Sequence, residues 1–123
     1  MTVNTNLTSA QTCIIWEKGT ERPFSSPLND EKRKGTYCCA ACGTPLFASD
    51  SKFESGSGWP SFFAPIDEKN LGQTTDYHVG YARTEVHCAK CNGHMGHVFP
   101  DGPKPTGLRF CINGAALEFK PDA

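Results

Sequence analysis

Cys39-Ala40-Ala41-Cys42 and Cys88-Ala89-Lys90-Cys91 read as one metal-binding motif cut in two by 45 intervening residues. Four thiolates from two Cys-x-x-Cys pairs make the soft, tetrahedral donor set that zinc prefers in a closed structural site. Gly43 follows the first pair and Asn92-Gly93 the second, so turn-formers stand where the chain must bend back toward its own sulfurs. The spacing predicts two knuckles clamping one Zn2+, with Cys39, Cys42, Cys88 and Cys91 as ligands. Disulfides within the pairs fit less well, because a ring closed over two residues is strained and tends to be redox-active. A grouping of Cys88, Cys91, His94 and His97 would strand the first pair and leave its turn without a purpose. Iron also accepts four thiolates, so a rubredoxin-like electron carrier is the rival metal protein.

A clip from residue 39 to residue 91 matters in a chain of 123 residues, which is expected to form one domain, 1–123, around a modest core. The net charge of −1, with acids and bases interspersed, lacks the basic footprint of a nucleic-acid binder. The chain has no apolar run of about 18 residues, the length a membrane span needs. Its start has neither the basic residues nor the apolar centre of an export signal. With seven cysteines, an odd number, the composition points to a reducing compartment and hence the cytoplasm. Three thiols fall outside the metal set: Cys13, Cys38 and Cys111.

Residues 1–6 are polar and expected to be flexible. Thr8-Ser9-Ala10-Gln11 has the form of a capping box and Gly19 offers a stop, which predicts a short helix over Ser9 to Lys18 carrying Cys13. Glu21 to Arg33 reads as loop with at most one helical turn. From Thr36 onward Gly and Pro, together 21 of the 123 residues, chop the chain into short segments with aromatic or β-branched centres. These are Tyr37, Leu46-Phe47, Tyr77 to Val86, Val98-Phe99, Leu108 to Ile112 and Leu117 to Phe119. The expected fold is mainly β, with two small antiparallel sheets around an aromatic core and the metal at one end. The stretch from Phe53 to Phe63 is glycine-rich at its start and aromatic at its end, so Trp59 reads as a binding surface on a loop. Phe62 and Phe63 serve equally well as core plugs.

Leu108-Arg109-Phe110-Cys111-Ile112-Asn113 alternates with period two. Leu108, Phe110 and Ile112 share the core face, whereas Arg109, Cys111 and Asn113 share the other. A guanidinium two residues from a thiol is ~7 Å away along a strand, and a nearby cation favours the reactive thiolate. Upstream, His94 and His97 offer groups that titrate near neutral pH, on a turn or extended loop set by the interleaved glycines.

Several stretches together resemble the methionine sulfoxide reductase B family. They are Trp16 to Phe24, the two Cys-x-x-Cys pairs, Ser55-Gly56-x-Gly58-Trp59-Pro60-Ser61-Phe62, Gly93-His94-x-Gly96-His97-Val98-Phe99-x-Asp101-Gly102-Pro103 and Arg109-Phe110-Cys111-Ile112-Asn113. The likeness runs from about residue 7 to residue 119. It implies reduction of methionine R-sulfoxide, free or in peptides, on a two-sheet β fold whose zinc lies far from the reaction. It also implies that Cys111 is the nucleophile and that His94, His97, Arg109 and Asn113 serve the sulfoxide oxygen or tune the thiolate. Trp59 and Phe99 are then the apolar contacts of the substrate. Many relatives carry a second cysteine where Ser57 stands here, so regeneration is expected through Cys13, through Cys38 or directly by an external thiol such as thioredoxin. The protein is expected to act as a monomer. A non-enzymatic zinc ribbon that binds protein or nucleic acid is the alternative, and it leaves Cys111, Trp59 and the histidine pair idle.

Overall fold

The computed structural model describes residues 7–76, 83–104 and 106–122, so the expectation for residues 1–6 lies outside them. Chain order begins with helix α1 (Ser9–Glu17), whose start is the expected capping box. The Gln11 N–H donates to Thr8 Oγ1 at 3.1 Å and the Thr8 N–H to Gln11 Oε1 at 2.9 Å. Lys18, left-handed at φ 57°, ends the helix one residue earlier than expected. The single 3-10 turn of the next loop spans Pro27–Asp30.

Nine strands follow among the described residues: β1 (Gly35–Cys39), β2 (Pro45–Ala48), β3 (Lys52–Phe53), β4 (Ser61–Phe62), β5 (Leu71–Asp76), β6 (Arg83–Cys88), β7 (His94–Phe99), β8 (Arg109–Ile112) and β9 (Leu117–Pro121). They form a three-stranded sheet in the order β2-β1-β9 and a six-stranded sheet in the order β3-β4-β8-β7-β6-β5, with every pairing antiparallel. The mainly β, two-sheet expectation is met, the second sheet being larger than foreseen. Residues 77–82 of the expected Tyr77–Val86 strand lie outside the described residues, and its remainder is the start of β6.

Aromatic rings from both sheets build the core. Phe47 of the small sheet stacks on Phe62 of the large one at 4.4 Å, and Tyr37 meets Phe62 edge-on at 5.0 Å. Phe62 is therefore the core plug, while Phe63 is only half-buried. Phe110 and Ile112 are buried as period two requires. Helix α1 closes one flank by burying Ile14 and Ile15. Among the described residues no helix is long and apolar enough to cross a membrane.

Candidate functional site

The two knuckles are copies of one turn. In the first, the Gly43 N–H donates to Cys39 O at 2.8 Å and the Cys39 N–H to Thr44 O at 2.9 Å. In the second, the Asn92 N–H donates to Cys88 O at 2.8 Å and the Cys88 N–H to Gly93 O at 2.9 Å. Both turns need a left-handed residue after the second cysteine, supplied by Gly43 at φ 81° and Asn92 at φ 65°. The turns bring all four sulfurs within 4.8 Å of one another. Cys39 Sγ lies 3.7 Å from Cys91 Sγ, and Cys42 Sγ 3.5 Å from Cys88 Sγ. A tetrahedron with metal–sulfur bonds of about 2.3 Å has edges of about 3.8 Å, so the donor set fits a zinc-sized ion. A hydrogen bond from Cys39 holds the Cys88 thiol down at about 4, while that contact and burial push Cys39 far up. Four thiolates this close repel one another, and a bound cation is what would let them coexist. His94 and His97 take no part in it.

A second centre lies on the large sheet. Central strand β8 places Cys111 opposite His97 on β7 and opposite Ser61 on β4. Phe99 and Arg109 face each other two pairs further along, with the guanidinium 4.5 Å from the ring centroid. The stretch around the histidines is thus a strand rather than a turn or loop. Strand parity alone would send His94 and His97 to opposite faces. Instead the pairing with β6 skips Met95, and this bulge lets Met95 and Val98 both enter the core while the two imidazoles meet edge-on at 5.5 Å.

A cavity of about 310 Å³ opens over Cys111. His97, Trp59, Phe99, Arg109 and Asn113 line it with Cys111, and Ser57, Thr20, Arg83 and Gly96 complete the wall. His94 does not line it. Only 3% exposed, His94 presents Nδ1 to Glu85 Oε2 at 2.5 Å, and burial, which outweighs this partner, shifts it toward the neutral form. Arg109 is shared with Asp101, donating from Nε at 2.9 Å and from a terminal nitrogen at 3.1 Å. This pair is the main cause that holds the Arg109 proton on, with Cys111 a smaller one. The expected lone cation beside the thiol is therefore a bidentate ion pair. Asn113 departs further, since it is 3% exposed rather than open. Its amide donates to Met95 O at 3.1 Å and its Oδ1 accepts from the Glu21 N–H at 3.0 Å.

Glu21 is the residue the sequence reading left without a role. Its carboxylate accepts from the Gly114 and Ala115 N–H groups at 2.8 and 2.9 Å, and its carbonyl from Trp59 Nε1–H at 3.0 Å. Four hydrogen bonds through one residue fasten residues 20–24 as a strap beside the pocket, with Thr20 in its wall, and orient the indole. Glu21→Gln leaves one of the two N–H groups facing an amide donor. We expect a stability loss of about 1–2 kcal/mol in urea titration and a higher substrate KM as Trp59 loosens. Also unassigned were Glu85, Asp101 and a hydroxyl chain from Ser61 through Ser55 to Ser57, which ends 3.4 Å from Cys111 Sγ.

The remaining thiols stand apart. Cys38 is buried on the small sheet, where burial pushes its thiol up. Cys13 is exposed and lines a larger hollow of about 800 Å³, with Thr20 common to its wall and to that of the Cys111 pocket.

Fold and site together define a β scaffold with a tetracysteine clip and a cysteine-centred pocket sized for one side chain. The chain belongs to the SelR domain family, which it matches over residues 7–121. It is 61% identical over 111 residues to peptide methionine sulfoxide reductase MsrB of Pseudomonas putida (strain W619), covering 90% of this chain and 82% of that one. MsrB of Bradyrhizobium diazoefficiens is 56% identical over 115 residues, 94% of this chain and 83% of its own. MsrB of Leptospira interrogans is 53% identical over 116 residues, 94% of this chain and 88% of its own.

Proposed function

We propose that this protein reduces methionine R-sulfoxide, free or in peptides, to methionine, with Cys111 as the thiol that takes the oxygen. The observation that carries the reading is the register of β7 and β8, which sets an imidazole directly across from that thiol in a cavity walled by an indole. A sulfoxide sulfur is a poor electrophile until its oxygen is protonated, so the site must offer an acid to the oxygen and a thiolate to the sulfur. His97 delivers the proton, and His94 and Glu85 hold its ring from behind. Trp59 and Phe99 receive the methyl group and side-chain carbons, while Asn113 and Arg109 order the polar side. Apolar walls opposite polar donors admit one configuration at the pyramidal sulfur and reject the other epimer.

Atoms balance in three steps. The Cys111 thiol and the sulfoxide give Cys111 sulfenic acid and methionine; the sulfenic acid and a second thiol give a disulfide and water; a dithiol restores both thiols. Ser57, poised at 3.4 Å, cannot condense. Cys13 serves as the second thiol once the strap between the two hollows yields; Cys38, buried in the other sheet, is less favourably placed. Thioredoxin is the proposed dithiol, acting on a monomeric one-domain protein in the cytoplasm. Seven free cysteines accord with that compartment. Cys39, Cys42, Cys88 and Cys91 would hold Zn2+, which clips the fold when bound and takes no part in the redox steps. A zinc-ribbon binding module would leave the pocket without a purpose.

One turnover on the R-sulfoxide without reductant, followed by peptide mapping, tests the sequence of steps. A Cys13–Cys111 linkage is expected; a persistent sulfenic acid with Cys13 free would remove Cys13 from the cycle.

A further inference from the structure

At about 310 Å³ the pocket over Cys111 lies at the small end of the range for ligand pockets, with room for a methionine sulfoxide but not for the residues that flank it in a polypeptide. When an oxidised methionine belongs to a polypeptide, its own backbone and its neighbours must therefore rest on the rim. Thr20 of the strap lines the pocket, and four residues on, the strap carries Phe24.

Phe24 is 70% exposed, the most open of the exposed large apolar side chains among the described residues. Its backbone is left-handed at φ 63°, a conformation that is strained for a bulky residue. The strain is held in place: the Phe24 N–H donates to Gly58 O at 2.6 Å. Gly58 stands between Ser57 and Trp59, both in the pocket wall. A Cβ at Gly58 would come within 2.5 Å of Pro23 Cβ and 3.0 Å of the Phe24 ring, so the strap lies flush on that wall. Folding gains little from this arrangement, since the backbone is strained and most of the ring stays in water. Trp16 and Ile66, the other exposed large apolar residues, have no such backbone. Strain retained against the loop that walls a pocket, on an exposed aromatic ring, marks a contact with something that reaches the pocket.

We propose that Phe24 is the docking contact for the polypeptide around an oxidised methionine, its ring packing on the main chain and side chains next to the residue in the pocket. The proposal rests on the Cys111 pocket being the sulfoxide site. It follows that the free amino acid, which fills the pocket alone, does not use Phe24.

The test compares KM and kcat for methionine R-sulfoxide as the free amino acid and within a short peptide, for wild type, Phe24→Ala, Phe24→Gly and Phe24→Leu. For Phe24→Ala the peptide KM is expected to rise roughly tenfold, with kcat and the free-substrate KM within about twofold of wild type. Phe24→Gly, which relieves the backbone strain, should show the same peptide defect with no loss of thermal stability, and Phe24→Leu should recover part of it. Equal changes for the two substrates, or an unchanged peptide KM, would overturn the docking role. Wild type inactive on both would overturn the pocket reading itself and the docking role with it.

Discussion

Cys111→Ser is expected to lose reduction of methionine R-sulfoxide by more than about 10³-fold, with wild type acting on the R epimer alone. The loss is chemical rather than structural. Cys111 is half-buried in the central strand of the large sheet, and its backbone pairing to β4 and β7 does not depend on its side chain. A serine fits the same space, keeps the strand and leaves the four-cysteine cluster untouched. What it lacks is a sulfur. A hydroxyl is not ionised near neutral pH and cannot take up the sulfoxide oxygen as a sulfenic acid, so the S–O bond has no acceptor. Separated epimers, assayed with dithiothreitol as reductant, provide the check, and unchanged metal content and thermal midpoint in the variant show that the fold survived. Residual turnover near the wild-type rate in the variant would exclude Cys111 as the acceptor, and equal turnover of both epimers by wild type would exclude the R selectivity. Dithiothreitol also isolates this first step from Cys13, because a small dithiol can regenerate the sulfenic acid without it.

Local signals were legible before any coordinates. A Cys-x-x-Cys pair with a turn-former behind it is a short-range pattern, and both knuckles close by the same two backbone hydrogen bonds. The capping box of α1 is equally local. Period two put Phe110 and Ile112 in the core and Cys111 off it, because a strand buried on one face must alternate. What stayed hidden depends on partners distant in the chain. Asn113 lies on the face that alternation called open, yet residue 21, 92 positions earlier, folds over and seals it. The pairing of His94 with Glu85 requires a bulge on β7, and nothing in the run of residues announces one. Strand β5, Leu71 to Asp76, has no apolar residue after Leu71 and lies at a sheet edge, paired among the described residues with β6, so it lacks the alternating buried face that would announce a strand. Strand β4 is two residues long and owes its conformation to pairing with β3 on one side and β8 on the other.

Loss of a metal ligand should have the larger structural effect, and Cys88→Ser is the variant to measure. Cys39 and Cys88 are fully buried, at the end of β1 on the small sheet and of β6 on the large one. The cluster therefore ties the two sheets together as well as closing two turns. Structural zinc sites bind with about 10–16 kcal/mol, whereas a whole domain has only about 5–15 kcal/mol of net stability. Losing even a third of the former removes about 4 kcal/mol, which for a chain of this size lowers Tm by roughly 15–20 °C. Wild type should carry one colourless zinc per chain and lose it to a strong chelator with the same fall in Tm; Cys88→Ser should be metal-free and insensitive to chelator. Visible absorbance from an iron-thiolate centre, or a metal-free wild type with an unchanged midpoint, would contradict the zinc clip. Activity should fall along with stability even though no ligand lines the pocket. Strand β7 begins where the second knuckle ends, and His97 lies three residues, or about 10 Å, further along it. A knuckle without its ion frees the start of the strand that carries the imidazole, and with it the register that holds His97 across from Cys111.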